Sequence, residues 1–224
     1  MKNWKLFSIT ALLFVCLGFG IYLFYWIERP MYAIEQIWWS VRNGNVIQFT
    51  QYVDMDSVYG KAYDKYTEKL IKDNIKLFQG TRQNPARISE KMALYLMRSF
   101  RSNVVDELKK ATITNIKQRK AKAMGELPMH HPNKGLPELF TKLITTIAVE
   151  NDLYNLQFQS ADVEMIDNRT AQGYVILKNE KPDSEFRINF IMKKYAKWKV
   201  TEITNLDEIM SRVVKNPINV EDLF

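Results

Sequence analysis

Residues able to do covalent or metal chemistry are scarce in this chain of 224 residues: one cysteine, Cys16, and two histidines, the adjacent His130 and His131. Nucleophilic catalysis of the Ser-His-Asp or Cys-His type needs a base within hydrogen-bond reach of the nucleophile. Cys16 lies in an apolar run, and the histidine pair in the Pro- and Gly-flanked stretch "ELPMHHPNKG", so neither is placed for such a set. Zinc wants three or four ligands at defined spacing; the pair supplies two at most, with Glu126 and Glu138 as the nearest carboxylates. No G-x-G-x-x-G or G-x-x-x-x-G-K-[ST] phosphate cradle occurs. No metal, no cofactor and no catalytic residue is expected from these sets.

What remains is a pocket of aromatic and apolar side chains, with one carboxylate in reach. Phe186, Ile188, Phe190 and Met192 alternate along one strand pattern, Trp198 and Val200 along the next, and Tyr174 and Ile176 belong to a neighbouring strand, all expected on the covered face. Glu202 is in phase with Trp198 and Val200 near a strand end. Tyr59, Tyr63 and Tyr66 form a helical stripe. Trp38, Tyr59, Tyr63, Tyr174, Phe190, Trp198 and Glu202 are thus the candidate lining of a site for a hydrophobic molecule. An enzyme on such a scaffold would use a pocket carboxylate, Glu202 or Asp54, whose pKa burial would tune. Asp54, directly before a helix, reads first as its cap.

The formal net charge is +7, and its distribution matters more than its size. Arg101 to Ala123 alone contributes seven basic and two acidic residues. Lys109, Lys110, Lys117, Arg119, Lys120 and Lys122 are the candidates for contact with an anionic surface. That stretch holds no aromatic for base stacking, so a nucleic-acid partner is not expected.

The elements that must position these residues begin with "LFSITALLFVCLGFGIYLFYWI", Leu6 to Ile27, which carries no formal charge and is long enough to cross a bilayer. A retained anchor is expected. A cleaved signal ending near Gly18-Phe19-Gly20 and a lipid-modified Cys16 are the alternatives. Lys2 and Lys5 favour a short cytoplasmic N-terminus and an outside domain, while Tyr22, Tyr25 and Trp26 suit an interfacial aromatic belt. The expected divisions are 1–29 for N-terminus and anchor, 30–214 for the domain with a basic helix end and loop near 109–135, and 215–224 for the tail.

Pro30 opens a helix whose Ile34, Ile37, Trp38 and Val41 share a stripe, and "RNGN" ends it. By this spacing Trp38 belongs to the core, where its truncation would cost several kcal/mol, and Trp39 lies off the stripe toward a rim or headgroup contact. "VIQFTQYV" completes a helical hairpin. A tyrosine-striped helix follows, then one from near Ile88 whose apolar spacing thins past Lys109 to Ile113 and Ile116 before "KQRKAKAMGELPMHHPNKG" reads as a fraying helix and a loop, then "LPELFTKLITTIAVEN". "VEMID", "TAQGYVILKN", "FRINFIMKK" and "WKVTEITN" read as a four-strand antiparallel meander, followed by a short helix, Leu206 to Val214, and the tail "INVEDLF". Helices first and a meander last make an α+β plan.

The hairpin "AIEQIWWSVRNGNVIQFTQYVD" with a terminal sheet ending "KWKVTEI" resembles the NTF2-like, or cystatin-like, superfamily, in which such helices pack into a curved antiparallel sheet. Tyr32-Ala33, the hairpin turn and Tyr52-Val53-Asp54 directly after an anchor resemble, more narrowly, the bacterial family called domain of unknown function 2939. The resemblance implies a single-pass membrane protein of the bacterial envelope whose extracytoplasmic domain binds or scaffolds. Its partners would be the membrane through the N-terminal helix, and a hydrophobic small molecule or an envelope protein. A small enzyme, or an interaction subunit working through the outer sheet face or the tail, are the alternatives.

Overall fold

The computed structural model describes residues 2–73, 90–123, 157–178 and 185–213. Helix α1 spans Lys2–Ile27. From Leu12 on it is apolar on every side, and Leu13, Phe14, Val15, Leu17, Phe19 and Ile21 are all exposed. Among the described residues no single helix is long and apolar enough to cross a membrane; Leu12–Ile27 meets that requirement only together with Pro30–Arg42, across a bend of 76°. The second arm of that pair is committed elsewhere, because its Ala33 and Ile34 are buried against the sheet.

Helix α2, Pro30–Arg42, starts on a proline at its first turn and ends where Gly44 takes a positive φ of 65°. Asn45 then caps α3, Val46–Tyr52, by accepting from the Gln48 amide. The hairpin is as expected. Helix α4, Met55–Asp73, is capped by Asp54, whose carboxylate accepts from the Ser57 amide at 3.1 Å and its hydroxyl at 2.9 Å. Asp54 also donates its amide to the Val200 carbonyl, beside an isolated parallel bridge between Val53 and Val200, so α4 starts at the sheet edge.

Helix α5 spans Glu90–Ala123, with Ile113 and Ile116 inside it. Contacts with α3 and α4 hold it where its apolar spacing thins: Tyr59 bonds Thr112, Lys109 pairs with Asp56 at 2.7 Å, and Ile113 and Ile116 pack with Phe49 and Met55. Tyr63, 6% exposed, donates its hydroxyl to the Met97 carbonyl at 2.6 Å, and Arg101 grips Asp64 with two bonds of 2.7 and 3.0 Å. The tyrosine stripe therefore builds a seam between two helices.

Burial in that seam pushes the Tyr59, Tyr63 and Tyr66 phenols above their ordinary range. The native state holds these protons to higher pH than the unfolded chain, whose phenols titrate near about 10. The seam's contribution is therefore fully present below about pH 10 and lost as pH rises through the native values. A melting temperature that falls above that pH, in step with phenolate absorbance, is the expected result. Tyr59→Phe with Tyr63→Phe should flatten the fall.

The sheet comprises β1, Gln157–Met165; β2, Thr170–Lys178; β3, Glu185–Lys194; and β4, Trp198–Ile203. All neighbours are antiparallel in the order β1-β2-β3-β4. Helix α6, Leu206–Val213, follows. The fold among the described residues is α+β, helices with an open four-strand antiparallel sheet. Strand β1 begins earlier than its apolar pattern indicated, since "QFQSAD" is polar and exposed at alternate positions.

One face carries the core. Ala33 and Ile34 of α2 and Tyr52 of α3 meet Ala171, Phe190, Met192 and Trp198, with Phe158, Ala161, Val163, Val175 and Val200 around them. Register settles which β2 residues belong there: Ala171 lies opposite Met192 and Gly173 opposite Phe190, whereas Tyr174 lies opposite Asn189 and Ile176 opposite Arg187. Tyr174 and Ile176 therefore sit on the opposite face, a correction to the alternation expected for that strand. Residues 74–89, 124–156, 179–184 and 214–224, which include His130, His131 and "INVEDLF", lie outside the described residues.

Candidate binding face

The sheet's second face is polar because each strand alternates. From β1 it takes Asp162 and Glu164, from β2 Gln172 and Tyr174, and from β3 Arg187, Asn189 and Ile191. Cross-strand register brings them into rows: Asp162, Tyr174 and Asn189 form one, and Glu164, Gln172, Ile191 and Glu202 the next. Between them lies a hollow of about 470 Å³, which Thr204 closes at the β4 side.

Two interactions hold its cationic end. The Arg187 guanidinium lies over the Tyr174 ring, 3.9 Å from the centroid, and its Nε donates to Asn189 Oδ1 at 3.0 Å. Asn205 secures the backbone beneath by accepting from the Asn189 amide at 2.9 Å and donating to the Arg187 carbonyl at 2.8 Å. A flat guanidinium fixed in this way keeps donors available for a planar anion. Among the described residues Arg187 has no ion pair, and Asp162 and Glu164 have neither an ion pair nor a hydrogen bond from their side chains. The carboxylates rise from β1 and the guanidinium from β3, with β2 and its Tyr174 ring between them. Sequence inspection missed this constellation, because opposite charges on non-adjacent strands show only once register is known.

The residues expected to line an apolar pocket do not converge. Tyr59 and Tyr63 face α5. Phe190 and Trp198 are core, Tyr174 is on the opposite face, and Trp38 lies tilted against Phe158 at the start of β1 with a centroid separation of 5.5 Å. Glu202 is out of phase with Val200: a register shift between Ile191 and Met192 inserts the buried Thr201, so Glu202 pairs across from Ile191 and reaches Lys61 at 2.7 Å. Both carboxylates available to an enzyme are thus engaged, Glu202 by a lysine and Asp54 by a helix start. Among the described residues no group of His, Cys, Asp and Glu is arranged to hold a metal ion.

Of the basic candidates, Lys109 is paired with Asp56 and Asp106, and Lys110 with Glu107 at 2.8 Å. Lys117 is exposed. The side chains of Arg119, Lys120 and Lys122 lie outside the described set.

Compared with family models, curated proteins and solved structures, the chain matches none. The geometry of the face therefore carries the functional reading alone.

The adjacent tryptophans divide as their helical angles require, with one correction. Trp39 is 52% exposed, opposite the buried side of α2. Trp38 is only half-buried, since it closes the edge of the sheet core over Phe158 rather than filling it. Its truncation should accordingly cost about 1–2 kcal/mol, below the full aromatic value, and that of Trp39 at most about 0.5. Denaturant midpoints of the two alanine variants check the order.

Proposed function

We propose that this chain is a single-pass, membrane-anchored module whose extracytoplasmic domain, of NTF2-like build and akin to domain of unknown function 2939, binds a partner at the polar face of its sheet. The observation that carries the binding reading is the hollow with unpaired carboxylates on β1 and, on β3, a stacked guanidinium that has no ion pair among the described residues. Charges left without ion pairs on opposite sides of a concave surface suit a ligand presenting both a cation and an anion, as a peptide segment does. The anchor reading is supported by the uncharged stretch Leu6 to Ile27 and by the exposed apolar side chains of α1. The hairpin and meander support the fold relationship. The engaged states of Glu202 and Asp54 favour a binding module over a carboxylate enzyme.

Two experiments test the parts separately. A phosphatase fused to the C-terminus should be active and a fluorescent-protein fusion dark; the reverse would place the domain in the cytoplasm and end the envelope assignment. A photo-crosslinking residue at Tyr174 should capture a discrete partner in cells, while one at the exposed Tyr95 of α5 should not. Equal capture at both, or capture unchanged by Arg187→Ala, would remove the face as the binding site.

A further inference from the structure

Two turns at one end of the sheet lie side by side: the β1–β2 turn, 166–169, and the β3–β4 turn, 195–197. The Lys194 amide donates to the Arg169 carbonyl at 2.8 Å, linking them. The same end abuts the close of α1. There the Trp198 indole donates to the Glu28 carbonyl at 2.8 Å, Lys194 pairs with the Glu28 carboxylate, and the Arg29 guanidinium lies 4.6 Å from the Tyr25 ring centroid.

The charge around this junction is one-sided. Arg29, Arg169, Lys193, Lys194, Lys197 and Lys199 stand against Glu28 and Asp167. Both acids are already used, Glu28 by Lys194, and Asp167 by the amides of Arg169 and Thr170 at 2.6 and 2.7 Å. Lys197 donates to the neutral Gln51 amide oxygen at 2.8 Å and so keeps its charge uncompensated there. At the tips, Ile166 is 56% and Tyr195 57% exposed. Basic groups beside exposed aliphatic and aromatic tips form a surface that headgroups of an anionic bilayer satisfy, the charges meeting phosphates and the tips entering the interface.

We propose that this collar of two hairpin turns is a second membrane contact, resting on anionic phospholipid headgroups beside the end of α1. The inference rests on the anchor reading above. Attachment to α1 makes the encounter intramolecular, so weak contacts suffice to hold the domain in one orientation. The collar then provides an anionic-surface contact separate from the basic stretch of α5.

The test uses the full chain in nanodiscs of phosphatidylcholine, with or without phosphatidylglycerol. A nitroxide goes on native Cys16, or on the exposed position of Ala196→Cys in a Cys16→Ser background, and collisions with dissolved oxygen and with a headgroup-tethered nickel chelate are measured. The Cys16 label should sit in hydrocarbon in both discs. The label at 196 should meet the chelate in anionic discs and much less in zwitterionic ones. Lys193→Gln and Lys197→Gln, both at exposed positions, should each lower the contacting-to-free ratio about five-fold. A Cys16 label in hydrocarbon with the 196 label in water in anionic discs overturns the collar and leaves the anchor standing. Equal contact at 196 in both discs overturns the anionic attraction. A Cys16 label in water overturns the anchor reading, and the collar with it.

Discussion

Trp198→Ala is expected to remove about 3–5 kcal/mol, the loss found when a buried aromatic leaves a cavity that its neighbours cannot close. Trp198 is 3% exposed and packs in the cluster that joins Ala33 and Ile34 of α2 to Met192 of β3. It also donates to the Glu28 carbonyl, so its removal withdraws the donor from a backbone oxygen at the α1–α2 junction. Trp198→Phe separates the contributions: most of the ring remains, the donor goes, and about 1–2 kcal/mol should be lost. Denaturant unfolding in mild detergent, followed by circular dichroism, gives both values. If Trp198→Ala cost no more than Trp39→Ala, the sheet core would not depend on this end of β4.

Much of the architecture was legible because local signals agreed with tertiary demands. Pro30 and Gly44 start and break the first helix of the hairpin through their backbone chemistry, and each does so in the structure. The β3 alternation of Phe186, Ile188, Phe190 and Met192 is uninterrupted, and the turn at Asp167 is closed by its own carboxylate. Helix α5 gives a weaker local signal past Lys109, where its apolar spacing thins to Ile113 and Ile116. Its segment 109–116 is tied to α4 by Thr112, Lys109 and Ile116, contacts between residues more than fifty positions apart in the chain, which apolar spacing within the helix does not register.

The candidate site was less legible, because counting by twos holds only along an unbroken strand. The register shift at Ile191 and Met192 displaces Glu202 from the face its spacing from Trp198 assigns it. On β2 the bulk of Tyr174 and Ile176 suggested the covered face, yet the residues that lie there are Ala171 and Gly173. Their small size is itself the signal: space above them is filled from β3 by Met192 and Phe190. Tyr174, freed from the core, instead supports Arg187 on the other face.

That reading makes Gly173→Ala the second severe substitution. A Cβ there would meet the Asp162 carbonyl oxygen of β1 well inside van der Waals contact, and Phe190 Cζ at 3.0 Å. The ring can yield by a few tenths of an ångström, but the carbonyl belongs to the strand opposite, so β1 must shift from β2. A cost of about 3 kcal/mol is expected, at the upper end for one added methyl in a filled site. Phe190→Leu in the same chain discriminates the two contacts. If the ring were the obstacle, the double variant would recover most of the loss relative to Phe190→Leu alone; if the β1 backbone is, little returns. The second outcome is expected, together with weaker crosslinking from Tyr174, because the displaced strand carries Asp162 away from Arg187 across the hollow. A Gly173→Ala protein with unchanged stability and unchanged capture would show that β1 does not need its close approach to β2.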